Sequence, residues 1–261
     1  MLAITHGGQR KLLPEGWSDA GPLAWPMLRA LARLPPPAGK LEAMRLLTGL
    51  SRRQFARLSA EEITTLSVAL PWLVPGPLTA PLQPRFRLGW RSYYLPEAKF
   101  SNGQCLAFAL ADEFFTAALK PGADVATSAT RLLGTIARPM KRGKRATLSG
   151  RGEVMARAKL FTKLPPEHAM HALMYWAGVK MAVDDLYGEY LFKGSPLDKA
   201  PAGKIPDFGW WARFQDVAES GIFGTLADVN THSFHEVCTW MLRKEAQRRS
   251  QQLEMETQRN K

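Results

Sequence analysis

The residues best placed to do chemistry are His232, His235 and Cys238, because histidines three apart share a helix face and could hold a metal ion with a third ligand. The cysteine breaks the set. Six residues along a helix turn through about 600°, which leaves Cys238 about 120° around the axis from His232. His168 and His171 with Asp184 and Asp185 meet the same objection, since thirteen residues turn through about 1300°. Nucleophilic catalysis finds no support either, because no Gly-x-Ser-x-Gly pattern is present. Gly143-Lys144 near Ser149-Gly150-Arg151-Gly152 misses the phosphate-loop spacing, as Arg145 and not Ser or Thr follows the lysine. Glu15 and Glu97 each follow a proline just ahead of a helical pattern, where the field of the helix N-terminus explains an acid. The expectation is a chain without catalytic residues, metal or cofactor.

Binding chemistry is better represented. Arg138, Lys141, Arg142, Lys144, Arg145 and Arg151 stand together with no acid before Glu153, and Gly143, Gly150 and Gly152 among them read as a mobile loop. Clustered cations release counterions on meeting phosphates. The stretch lacks any Phe, Tyr or Trp to stack on bases, so the plainer reading is a solvated or partner-ordered loop. Trp210, Trp211 and Phe214 form the second candidate, as a partner hot spot or as core.

Those residues need a scaffold, and its pattern occurs twice. Arg10-Lys11-Leu12-Leu13-Pro14-Glu15-Gly16-Trp17-Ser18-Asp19 is echoed by Arg91-Ser92-Tyr93-Tyr94-Leu95-Pro96-Glu97-Ala98-Lys99-Phe100-Ser101-Asn102, with one extra residue before the second aromatic. Each copy closes a short apolar run, a glycine turn and a second run, which reads as a β-hairpin. After the first, Ser18 or Asp19 caps a helix with Pro22 in its first turn; after the second, Ser101 or Asn102 does so. Ser59 and Glu62 have the spacing of a capping box. Residues 63–84 carry no charge, but Pro71, Pro75, Pro77, Pro81 and Pro84 interrupt them, so the stretch reads as a linker and not a membrane span.

A long helix opening at Pro165-Pro166-Glu167 is apolar on most sides over its first half and belongs in the core. Residues 194–208 read as an exposed loop. Ser233 caps the last helix, and beyond Arg243 apolar residues nearly vanish. The fold class is therefore mainly α with two small β-hairpins, divided as a first unit over 1–84, a larger second unit over 85–242, and a helical or disordered basic tail over 243–261.

With 46% hydrophobic residues in 261, the chain is globular, and its formal charge of +12 favours acidic partners. Cys105 and Cys238 sit in apolar helical stretches and read as buried thiols of a reducing compartment. No basic segment followed by an apolar run opens the sequence, so the expected location is the cytoplasm.

Leu13-Pro14-Glu15-Gly16-Trp17-Ser18-Asp19, Leu46-Leu47-Thr48-Gly49-Leu50-Ser51 with Phe55 and Leu58, Arg91 to Pro96 with Phe100-Ser101-Asn102, and Phe223-Gly224-Thr225-Leu226-Ala227-Asp228-Val229 carry a resemblance. They are similar to proteins encoded by prophages and tailed phages near the tail genes of Mu-like elements. The resemblance implies a role like that of tail assembly chaperones, helical proteins that keep the hydrophobic tape measure protein soluble in the bacterial host cytoplasm. It implies no catalytic residues. A structural component of the virion, or an accessory protein that binds nucleic acid through the basic loop, stands as the alternative.

Overall fold

The computed structural model describes residues 3–6, 9–191 and 209–259. Among the described residues the chain forms eleven α-helices and six short strands, a mainly α fold with small hairpins as the residue pattern predicts. No helix among them is long and apolar enough to cross a membrane.

The first hairpin pairs β1 (Ala3–His6) with β2 (Gln9–Leu12), Ala3 opposite Leu12. Then Leu13 and Trp17 turn inward, 2% and 6% exposed. A short 3₁₀ turn leads into α1 (Ala24–Arg33), followed by α2 (Ala38–Thr48), α3 (Arg52–Phe55) and α4 (Ala60–Ala69). Ser59 and Glu62 form the reciprocal capping box at the start of α4. The second hairpin pairs β3 (Arg85–Leu88) with β4 (Arg91–Tyr94) across Gly89-Trp90, where Gly89 has φ +59°. Again a leucine and an aromatic turn inward, Leu95 at 6% and Phe100 at 0% exposure, ahead of a 3₁₀ turn and α5 (Cys105–Ala118). The two copies therefore share a local plan. They differ in pairing, since β1 and β2 pair only with each other while β4 continues into a larger sheet.

Neither predicted cap forms. Ser18 donates to Asp19 while Leu23 precedes α1 without a side-chain cap, and Gln104 precedes α5. Asn102 is drawn elsewhere: its Oδ1 accepts from the Glu97 amide and from Arg145. In the first copy a 3₁₀ turn separates Ser18-Asp19 from α1; in the second α5 starts three residues past Asn102, whose side chain is held by Glu97 and Arg145.

After α6 (Val125–Ile136) the residues expected as a mobile loop form β5 (Arg138–Lys141) and β6 (Lys144–Arg145). Arg142 and Gly143 both have positive φ, 52° and 76°, the geometry of a two-residue turn whose twist matches paired strands. β5 also pairs with β4, giving an antiparallel sheet in the order β3-β4-β5-β6.

α7 (Arg151–Phe161) precedes α8 (Pro166–Leu191), which packs against α1, α5, α6 and α11. Buried side chains fall into two clusters. One runs from Leu13 to Leu78 and takes in Met174 of α8; the other holds Phe86 to Cys238, with Tyr175, Trp176 and Val179 of α8. Two consecutive turns of one helix thus serve both clusters. Glu167, 1% exposed in the first turn of α8, binds Arg33 through two hydrogen bonds of 2.9 and 2.7 Å and Arg29 at 3.2 Å, which ties α1 to α8. Burial works to raise its pKa, but the Arg33 guanidinium holds the carboxyl below its ordinary value.

Residues 71–84 are not a free linker. Leu70, Leu73 and Leu78 are buried, the Leu78 amide donates to the Met174 carbonyl of α8 at 3.0 Å, and the Leu82 amide donates to His171 Nε2 at 2.9 Å. At the far end the Lys99 amide donates to Thr79 O and the Leu95 amide to Pro84 O. The prolines shape a strap laid across α8. Prolines cannot donate hydrogen bonds, but the intervening leucines can, and they anchor it.

The chain ends with α9 (Gly209–Glu219), α10 (Leu226–Thr231) and α11 (Phe234–Arg259). The segment beyond Arg243 continues α11 as helix, with Leu253 and Met255 exposed. Residues 194–208, expected as a loop, lie outside the described residues. Cys105 and Cys238 are free and fully buried, and burial pushes the Cys105 thiol up to about 12.

Candidate functional site

The residues expected to bind a partner are scattered. Arg138 is buried at 2% exposure, with Nη1 donating to Gln104 Oε1 and Ala146 O. Arg145 bonds Asn102 and the Ile136 carbonyl, and Arg151 pairs with Glu113 and lies over the Phe114 ring. Of the six, Lys141, Arg142 and Lys144 lie exposed at the hairpin tip. Strand pairing is the cause, because it turns Arg138 and Arg145 back against the end of α6. The aromatic group is core: Phe214 is fully buried, and Trp210 packs at 4.8 Å from Phe108 and 5.0 Å from Phe234. Trp211, half-buried, packs against the same cluster.

The histidines are occupied singly. His235 Nδ1 lies 2.7 Å from the Tyr187 hydroxyl and Nε2 lies 3.0 Å from the Lys99 carbonyl. His232 faces Glu236 at 3.7 Å, and His171 accepts from the strap. No cluster of three metal-binding side chains occurs among the described residues. Burial holds His171 neutral, lowering its pKa to about 3, and the bond from Leu82 N–H requires that same unprotonated nitrogen.

Two surfaces remain. The first is a groove of about 740 Å³ between the strap and the segment joining β2 to α1. Trp17 and Trp72 meet edge to face in it at 5.8 Å, Trp17 Nε1 donates to Val74 O at 3.0 Å, and Leu78 contributes to its lining. Gly16 and Gly21 leave the rim low, and Val74, Thr79 and Ala80 stand exposed along the strap. Not one of the residues lining it is charged. The Trp72 indole N–H is shut off from solvent with no acceptor among the described residues. The uncharged, proline-interrupted stretch has the pattern of a linker, which hides the groove; the signal for it is the pairing of Trp17 with Trp72 and Leu78 in a proline-stiffened run.

The second surface is the four-stranded sheet. Arg85, Arg87 and Arg91 are exposed on its β3–β4 hairpin and Lys141, Arg142 and Lys144 at the tip of its β5–β6 hairpin, and Arg91 stacks 4.5 Å above the ring centre of Trp90, itself 77% exposed. The alternation Arg85-Phe86-Arg87 is the period-two signal of a strand with one basic face, a signal that points to this surface.

No family model matches this chain, and neither a curated protein nor a solved structure matches it.

Proposed function

We propose that the chain works by holding a segment of another polypeptide, in the manner of a tail assembly chaperone, and not by transforming a substrate. The observation that carries this reading is the uncharged groove of Trp17, Trp72 and the strap on a chain with formal charge +12. A surface so rich in cations keeps them out of one concave site only where that site is apolar by use. Its occupant is an apolar stretch of the client, here the tape measure protein. Burying its side chains against the two indoles supplies affinity. The surrounding positive field steers acidic flanks of the client toward the groove and raises the rate of encounter more than the final affinity.

A charge placed in the groove tests this. Ala80 is exposed and lines the strap side, so Ala80→Asp leaves the core intact. Co-expressed with the tape measure protein of the element that encodes it, the wild-type chain keeps that protein soluble. Ala80→Asp weakens the complex by tenfold or more, a loss of about 1.4 kcal/mol for burying an uncompensated carboxylate. Equal soluble yields with both forms contradict the reading.

The basic sheet with its exposed Trp90 favours a second reading, binding of a single-stranded nucleic acid through phosphate contacts and stacking. That binding falls steeply with added salt, whereas apolar docking in the groove does not.

A further inference from the structure

Arg138, Arg145 and Arg157 crowd one place, bounded by the β5–β6 hairpin, the C-terminal end of α6 and α7. Arg138 is 2% exposed and Arg157 7%. Arg157 Nε donates to Gly134 O at 2.9 Å and Nη1 to Glu153 at 2.8 Å; Arg145 donates to Asn102 and to Ile136 O. Those bonds leave four guanidinium nitrogens over: Arg138 Nε and Nη2, Arg145 Nε, and Arg157 Nη2. All four are shut off from solvent with no acceptor among the described residues.

Neighbouring acids do not fill the gap. Glu153 is taken up by Arg157 and by the Ser149 amide and hydroxyl, and Glu97 Oε2 accepts from Ser101. Three guanidinium groups thus face two carboxylates, Glu153 and Glu97, and neither bonds Arg138. Burial lowers the Arg138 pKa to about 9, and repulsion from Arg145 and Arg157 adds to it. Such crowding persists in a folded core when an anion completes it.

The free atoms also have the right shape. Nε–H and one Nη–H lie along a single edge of a guanidinium and match two oxygens of an oxyanion. Elsewhere in this molecule that edge is used in the same way: Arg33 grips Glu167, and Arg45 grips Glu42, each through Nε and Nη2. On Arg138 the identical edge is buried and empty-handed.

We propose that Arg138, Arg145 and Arg157 form a site for a small oxyanion of the phosphate or sulfate class, held by the Nε/Nη2 edge of Arg138 and by one N–H each from Arg145 and Arg157. Burial restricts the ligand to a small ion, because no polymer phosphate reaches an arginine 2% exposed. Access comes by opening of the short β5–β6 ribbon, whose two cross-strand pairs are Met140↔Arg145 and Lys141↔Lys144. The exposed Lys141, Arg142 and Lys144 at its tip concentrate anions at that entrance. Bound there, the ion fixes the hairpin against α6 and α7 and so sets the edge of the basic sheet.

Thermal unfolding of the full chain tests the proposal, with sodium phosphate or sodium sulfate titrated against sodium chloride at matched ionic strength. The expected result is a saturable rise of the midpoint with an oxyanion beyond that with chloride. Phosphate acting alone assigns the site to phosphate; equal action of sulfate assigns it to tetrahedral oxyanions generally. Arg138→Lys keeps the charge and loses the fork, and raises the half-saturating concentration tenfold or more, while Arg53→Gln on exposed α3 leaves it unchanged. Should Arg138→Lys fail to fold, the wild-type chain serves: the Arg138 Nε–H resonance of ¹⁵N-labelled protein shifts on phosphate titration. Identical responses to chloride and oxyanions, equal half-saturation in wild type and Arg138→Lys, or an unmoved Nε–H resonance overturns the site.

Discussion

Gly178→Ala is expected to destabilise the fold by roughly 3 kcal/mol. A Cβ built on Gly178 falls 1.9 Å from the Leu78 carbonyl oxygen, 2.5 Å from its carbon and 2.8 Å from its nitrogen. These are backbone atoms. No rotamer change relieves the clash, so strap and helix must part, and the Leu78 N–H bond to Met174 O goes with them. Leu78 also lines the groove, so the same substitution costs client binding even under conditions where the chain stays folded. Gly152→Ala is the control. Nothing stands within 4 Å of a Cβ there and the residue lies in the first turn of α7, so alanine is neutral or stabilises by up to about 1 kcal/mol. Urea unfolding curves with unchanged slope measure both. A loss below about 0.5 kcal/mol for Gly178→Ala refutes the close contact of strap and α8.

His171 governs the second large effect. Its pKa is lowered by burial to about 3 in the folded chain, against about 6.5 when unfolded. Above pH 6.5 the ring is neutral in both states and contributes no pH dependence. Below it the unfolded chain takes up a proton that the folded chain refuses, so stability falls by about 1.4 kcal/mol per pH unit until the pH nears the folded value. Between pH 6.5 and 5 the loss is about 2 kcal/mol. His171→Gln keeps an acceptor for the Leu82 amide and removes the titration, so its stability is flatter across that interval. Chemical unfolding of both forms at pH 6.5, 5.7 and 5 gives the difference directly. Parallel slopes in the two proteins contradict a neutral, buried His171 beneath the strap.

Much of the scaffold was legible because local chemistry and tertiary packing agree in it. Both hairpins, the Ser59–Glu62 box and the apolar α8 follow from spacing alone, since each is stabilised by residues within a turn or two of one another. The site was less legible. A strap of prolines and leucines has no period, and its role depends on α8, about ninety residues further on, where Gly178 and His171 receive it. The failed caps at Ser18 and Asn102 have separate origins: a 3₁₀ turn intervenes after Ser18, and Asn102 finds a partner in Arg145, 43 positions away. Arginines at 138 and 145 read as surface charge because burial of a guanidinium is decided by strand pairing and helix ends. The Arg142-Gly143 turn was the one local sign that this stretch pairs with itself.

The central claim is that the groove, and not the basic sheet, receives the partner. Hydrogen exchange of the full chain, alone and in complex with the tape measure protein, addresses it residue by residue. Slowed exchange at Gly76, Thr79 and Ala80 of the strap and around Trp17, with residues 85–94 and 138–145 unchanged, is the predicted result. Protection confined to the sheet, with the strap exchanging as it does in the free chain, contradicts the account.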